Sequence, residues 1–309
     1  MNKPLAGVVL SLLLTGVAAA PAVAAAPQDT DRAGTATVDS APPATASAAA
    51  WPATAAASPA DTASPAAVTY AGTVALSNCS GSVVRAPGSQ PNDPALVLSN
   101  GHCLETGFPA AGQVIVNRAS SRTFSLLNAA GSKVATLRAS KIAYGTMTDT
   151  DVSLYQLTTT YAQIQSQYGI SALTLNDVRP TQGSAIKVVS GYWKRTYSCN
   201  IDGFAYLLKE GAWTWKDSVR YTSSCNTIGG TSGSPVIDTT TGKVVAVNNT
   251  GNEAGGRCTD NNPCEVDQNG TVTVRRGINY AQQTYTLVPC IGPGSQLDLN
   301  RPGCAVPKP

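Results

Sequence analysis

The chain contains one histidine, His102, set between Gly101 and Cys103 directly after the apolar run Ala95-Leu96-Val97-Leu98-Ser99. An imidazole with an ordinary pKa of about 6.5 exchanges protons near neutrality. A strand end followed by a cysteine that can be stapled to an earlier strand would hold that ring rigidly. Far downstream lies Gly229-Gly230-Thr231-Ser232-Gly233-Ser234-Pro235-Val236, where small residues leave the backbone open. Glycine beside serine lets successive N–H groups turn toward one point, which is what stabilising an oxyanion during acyl transfer requires. Between the two stands Asp151, in Thr148-Asp149-Thr150-Asp151-Val152-Ser153-Leu154-Tyr155-Gln156-Leu157. An acid buried at a strand start could accept the imidazole N–H and fix its tautomer. Asp149 is the rival for that role; Asp151 is preferred because the alternation of Val152 and Leu154 begins beside it. Taken singly, the glycine segment also reads as a turn between strands and the acid as a turn aspartate.

The elements that must position these residues are short and β-branched. Ala95 to Ser99, Gln113 to Val116, Ala185 to Val189 and Val244 to Val247 read as strands bounded by Gly, Asn, Asp and Pro. Thr271-Val272-Thr273-Val274 alternates after the turn signal Asn269-Gly270, and Thr241-Gly242 separates Ser234 to Asp238 from Lys243 to Val247 as a hairpin. Tyr161 to Tyr168 is the one candidate for a short helix. Many strands at close spacing and no long amphipathic helix point to an all-β sandwich or a pair of barrels.

Composition sets the outer bounds. The 309 residues carry 21 Lys plus Arg against 18 Asp plus Glu, with no basic run longer than a pair such as Lys194-Arg195. That excludes a strong case for nucleic acid or an anionic membrane as partner. Residues 1–26 read as a signal peptide: Lys3, an apolar run from Leu5 to Ala20, and the small-x-small pattern Ala22-Val23-Ala24. Residues 27–67 are almost entirely Ala, Pro, Thr and Ser and cannot bury enough surface to offset ordering their backbone, so they read as a disordered linker or pro-segment. A globular body is expected over 68–290, followed by a tail over 291–309.

All eight cysteines fall after the linker, an even number suited to disulfides in an exported chain. Eight cysteines allow 105 pairings. Neighbour-in-sequence pairing gives Cys79 with Cys103, Cys199 with Cys225, Cys258 with Cys264, and Cys290 with Cys304. The absence of a Cys-x-x-Cys pair argues against a metal site.

Together, His102-Cys103, Asp151-Val152-Ser153-Leu154 and Gly230-Thr231-Ser232-Gly233-Ser234-Pro235 resemble the motifs of the chymotrypsin-like (trypsin-like) serine proteases, in that family's order of His, Asp and Ser. The order differs from that of subtilisins and α/β-hydrolases. The resemblance, running from about Val68 to Leu287, implies two packed six-stranded antiparallel β-barrels with a site in the cleft between them. It implies Ser232 as nucleophile, His102 as base, Asp151 as its orienting acid, and the Gly230 and Ser232 amides as oxyanion hole. Cys79 with Cys103 corresponds to the family's bridge beside the histidine. Three positions depart from the pattern: Thr231 where trypsin-like zymogens place an acid, Asn226 where trypsin has its specificity acid, and Val247-Asn248-Asn249-Thr250-Gly251 along the pocket wall. The expectation is a secreted, extracellular serine endopeptidase, monomeric, without metal or organic cofactor, acting on polypeptides and not associated with nucleic acid or membrane. The alternative is a catalytically inactive secreted β-domain, a pseudoprotease or adhesion module.

Overall fold

A computed structural model of the chain describes residues 67–309. The leader expected over 1–26, and all but the last residue of the segment expected over 27–67, lie outside the described residues. The first sheet is built from β1 (Thr73–Ala75), β2 (Ser80–Arg85), β3 (Pro94–Ser99), β4 (Val114–Ala119), β5 (Thr123–Leu127), β6 (Lys133–Thr146), β7 (Val152–Thr160) and β8 (Leu173–Thr174), with helix α1 (Tyr161–Tyr168) after β7. The second holds β9 (Ala185–Ser190), β10 (Arg195–Glu210), β11 (Trp213–Tyr221), β12 (Pro235–Asp238), β13 (Val244–Gly251), β14 (Cys264–Val266), β15 (Val272–Val274) and β16 (Asn279–Gln283).

In the first sheet, six strands pair in the order β1-β5-β6-β7-β3-β2, and β2 pairs back onto β1. In the second the order is β11-β16-β13-β12-β9-β10, and β10 pairs back onto β11. The fold is therefore all-β and chymotrypsin-like, as the strand spacing and the motifs implied. Helix α1 forms where expected because Thr160 and Gln163 make a capping box and Gly169 closes the C-terminus in the left-handed region.

Four apolar clusters account for the packing, the smallest joining Met147, Ala205, Leu208, Trp215 and Tyr280. Val74, Val97, Phe124 and Leu126 fill the first barrel, and Val188, Ile201, Val219 and Val236 the second. Between the barrels, Leu96, Leu98 and Leu154 meet Val189, Ile237 and Val247. Strand β7 serves two of these clusters: Leu154 faces the inter-barrel layer while Tyr155 and Leu157 face the first barrel. That explains why Val152 to Leu157 is buried on both faces. Burying one leucine contributes about 1.5–3 kcal/mol, so this layer contributes strongly to holding the barrels together. The C-terminal segment joins it, with Ile291 and Val306 in the same cluster and the Tyr144 hydroxyl donating to the Pro307 carbonyl at 2.8 Å.

The bridges are Cys79–Cys103, Cys199–Cys225, Cys258–Cys264 and Cys290–Cys304. Each joins neighbours in sequence, because each closes a local loop or links strands adjacent in the chain. Among the described residues no helix is long and apolar enough to cross a membrane.

Candidate active site

Strands β3 and β7 run antiparallel with Ser99 opposite Ser153, and this register sets the end of β3 beside the start of β7. The Asn100 side-chain amide donates to the Asp151 carbonyl at 2.8 Å, and the Ser153 hydroxyl to the Asn100 carbonyl at 2.7 Å. The chain then passes through Gly101, where a Cβ would stand 2.1 Å from the Thr146 carbonyl oxygen. Only glycine permits that approach. It brings His102 onto Asp151 at two points: the backbone N–H donates to Oδ1 at 3.0 Å, and Nδ1 lies 2.7 Å from Oδ2. The Asp151 side chain is fully buried, whereas the imidazole keeps 19% exposure. The acid is thus shielded and the ring faces the cleft.

Burial by itself would lower the His102 pKa, but the charge and hydrogen bond of Asp151, with a smaller contribution from Glu210, hold it above its ordinary value. The rival Asp149 points elsewhere. It pairs with Lys216 of β11 at 2.7 Å and its backbone bridges to Trp215, tying the two sheets together.

A polar brace lies behind the histidine. Arg122, its side chain 7% exposed, donates to the Cys103 carbonyl and to the Tyr155 hydroxyl, and Tyr155 donates in turn to Glu105 at 2.6 Å. With the Cys79–Cys103 bridge, this fixes both sides of the segment carrying His102.

Ser232 comes from the other barrel, on the loop between β11 and β12. The loop is turned by bonds from the Thr231 amide to the Ile228 carbonyl at 3.0 Å and from the Ser234 amide to the Thr231 carbonyl at 3.1 Å. Thr231, 2% exposed, donates its hydroxyl to the Ile228 carbonyl and accepts from the Asn248 side-chain amide at 3.2 Å. Neutral hydrogen bonds therefore brace this loop at the position where zymogens of the resembled type carry an acid. The Ser80 amide crosses from the first barrel to the Ser232 carbonyl at 2.8 Å. Gly233 has φ +80°, and a Cβ there would meet the Ser80 carbonyl oxygen at 2.0 Å.

His102, Asp151 and Ser232 line one cavity of about 340 Å³. The Ser232 hydroxyl donates to the Asn249 carbonyl at 3.3 Å. Asn249 sits at an irregularity in the β13–β16 pairing, where the register slips between Asn248 and Thr250. Gly230, with φ +85°, and Ser232 have amides that make no internal hydrogen bond among the described residues.

The pocket differs from expectation at one position. Asn226 is exposed and does not line the cavity; Thr227 does, its hydroxyl donating to Asn279 at 2.9 Å. Cys225, bridged to Cys199, and Thr227 are both buried, and Asn226 between them faces outward. Phe108, Trp213 and Glu210 also line the cavity, and the sequence offered no signal for them. Phe108 packs edge-on to His102 at 5.7 Å and to Trp213 at 5.9 Å, while Trp213 donates to the Pro109 carbonyl at 2.9 Å.

The fold and cleft define a chymotrypsin-like serine protease architecture. The model of the trypsin-like peptidase domain matches residues 79–247, and the chain belongs to that family, whose substrates are polypeptides. No curated protein matches the chain. Among solved structures it is similar to the MamO protease domain from Magnetospirillum magneticum, at 12% identity and TM-score 0.44, covering 71% of this chain and 95% of that one. The Rv3671c protease from M. tuberculosis in its active form matches at 14% identity and TM-score 0.42, covering 70% of this chain and 77% of that one. The thermostable serine protease AL20 from an extremophilic microorganism matches at 17% identity and TM-score 0.40, covering 70% and 91%.

Proposed function

We propose that the protein is a secreted serine endopeptidase that cleaves polypeptides through an acyl-enzyme. The observation that carries the reading is the Asp151–His102 contact at 2.7 Å in a cavity that Ser232 shares. Ser232 would attack the scissile carbonyl, its hydroxyl turning from the Asn249 carbonyl toward the imidazole as substrate enters; such bonds commonly tighten only in the complex. His102 takes the proton and returns it to the leaving amine, while Asp151 holds the tautomer that leaves Nε2 free to accept. The carbonyl oxygen becomes an anion facing the Gly230 and Ser232 amides. Water then repeats the sequence against the ester.

Four disulfides support export into an oxidising compartment. In this reading residues 1–26 are a cleaved leader, 27–67 a linker or pro-segment, 68–290 the peptidase body and 291–309 its tail. The Ser232–Asn249 bond favours a second reading, an inactive β-domain that retains the side chains. A fluorophosphonate probe decides between them: labelling of the purified protein between pH 6 and 9 that is abolished by Ser232→Ala supports the peptidase, and absence of labelling supports the inactive domain.

A further inference from the structure

The wall of the cleft beyond the reacting residues is acidic. Glu210 ends β10 directly opposite Trp213, the first residue of β11. The hairpin they form is held by the Gly211 amide on the Cys258 carbonyl at 2.9 Å, and by the pairing of Lys209 with Cys264, the partner of Cys258 in a disulfide. Glu210 itself is fixed from behind: Oε1 accepts from the Asn261 amide at 2.8 Å. The other oxygen, Oε2, is buried with no partner in good hydrogen-bond geometry, although the Thr250 hydroxyl lies close enough to favour the charged carboxylate. Among the described residues Glu210 has no ion pair, and no Lys or Arg lines the cavity, whereas Glu253 and Asp260 line it alongside Glu210.

A second group in the same cavity also lacks a partner. Asn249 is 4% exposed and lines the cleft, and neither atom of its side-chain amide has a hydrogen bond. Buried polar atoms are ordinarily satisfied, and two unpartnered acceptors in one cleft, Glu210 Oε2 and Asn249 Oδ1, beside the unpartnered Asn249 Nδ2 donor, call for a polar occupant that brings donors. The acids do not form a compact cage. Among the described residues the only three potential ligands within 4.8 Å of one another are Cys79, His102 and Cys103, two of them spent on a disulfide. An extended cation with several N–H groups fits this arrangement better than a small metal ion.

We propose that Glu210 is a specificity-determining residue that selects substrates carrying a lysine or arginine side chain near the scissile bond. The proposal rests on the peptidase reading of the same cleft. It places the selecting charge on the β10–β11 hairpin, because the pocket base at Thr227 and Asn279 is neutral. The Glu210 carboxylate accepts from the cationic head group once its side chain turns toward the cavity, and the Asn249 carbonyl oxygen supplies a further acceptor. A neutral or acidic substrate side chain would leave Oε2 buried and unpaired, a loss worth a factor of roughly 10 to 100 in selectivity.

The test is a positional peptide library scored for kcat/KM, with binding of matched peptides to the Ser232→Ala protein as a readout that needs no turnover. The expected result is that Lys or Arg is favoured about tenfold or more over Leu and Glu at one position. Glu210→Gln, which keeps the acceptor for Asn261, should erase that preference, read as the ratio of kcat/KM for basic over neutral peptides at a pH above the acid limb of both proteins. The binding arm should show the same loss in Ser232→Ala/Glu210→Gln against Ser232→Ala. A parent protein indifferent to basic residues in both arms overturns the proposal, even if Glu210→Gln fails to fold, and so does a basic preference that survives Glu210→Gln. Fluorophosphonate labelling reports separately on the peptidase reading: a labelled protein with no basic preference sinks the specificity role alone.

Discussion

Asp151 meets His102 twice, through the backbone amide at 3.0 Å and the ring nitrogen at 2.7 Å, so one carboxylate sets both the position of the segment and the orientation of the imidazole. Because Asp151 is fully buried, no water competes for either oxygen. Asp151→Asn would keep the shape but offer the ring an amide, which favours the wrong tautomer. We expect kcat/KM to fall by roughly 10³- to 10⁴-fold with a near-native circular dichroism spectrum. A loss below tenfold would remove Asp151 from the reacting set.

The pH dependence follows from the sign of the His102 shift. As the base in the proposed reaction His102 must be neutral, and Asp151 and Glu210 hold its pKa above the ordinary value. Activity should therefore rise with pH through a pKa above about 6.5. Removing the Glu210 charge takes away one raising influence, so Glu210→Gln should move the acid limb of kcat/KM to lower pH. A limb that moves upward or stays fixed would show that the two groups do not couple.

Gly233 combines a positive φ with a backbone neighbour that leaves no room for a Cβ. Gly233→Ala is expected to cost more than about 2 kcal/mol, read as a lower midpoint in urea. Gly229 is a suitable control, since nothing lies within 4 Å of a Cβ built there.

Thr231 holds the loop that carries Ser232 with one hydroxyl that both donates and accepts. Thr231→Val leaves the Asn248 amide without that acceptor and should destabilise by about 1–3 kcal/mol. Thermal unfolding of the variant checks this; an unchanged midpoint would mean that the loop is held by other contacts.

The local chemistry of the chain made much of the architecture readable. Alternation and turn residues located β3, β9, β12, β13 and β15 to within a few positions, since β-branched runs between Gly and Asn breakers fit little else. Helix α1 was readable from its own residues, and neighbour pairing of the eight cysteines matches the four bridges because each closes a short stretch of chain. The motifs around His102, Asp151 and Ser232 were visible as small residues beside reactive ones.

What the sequence could not give is which side chains share the cleft. Glu210 closes a 16-residue strand with nothing in its neighbours to set it apart, and it reaches the cavity through the β10–β11 hairpin and the loop held by Cys258. Asn226, six residues before Ser232, faces outward, and Thr227 lines the cavity instead. The bond from Ser232 to Asn249 depends on a slipped register in β13. Propensity, capping and turn chemistry act over a few residues and are written locally, whereas the lining of a cavity is fixed by strand register and cross-links between distant segments, and only the folded chain decides those.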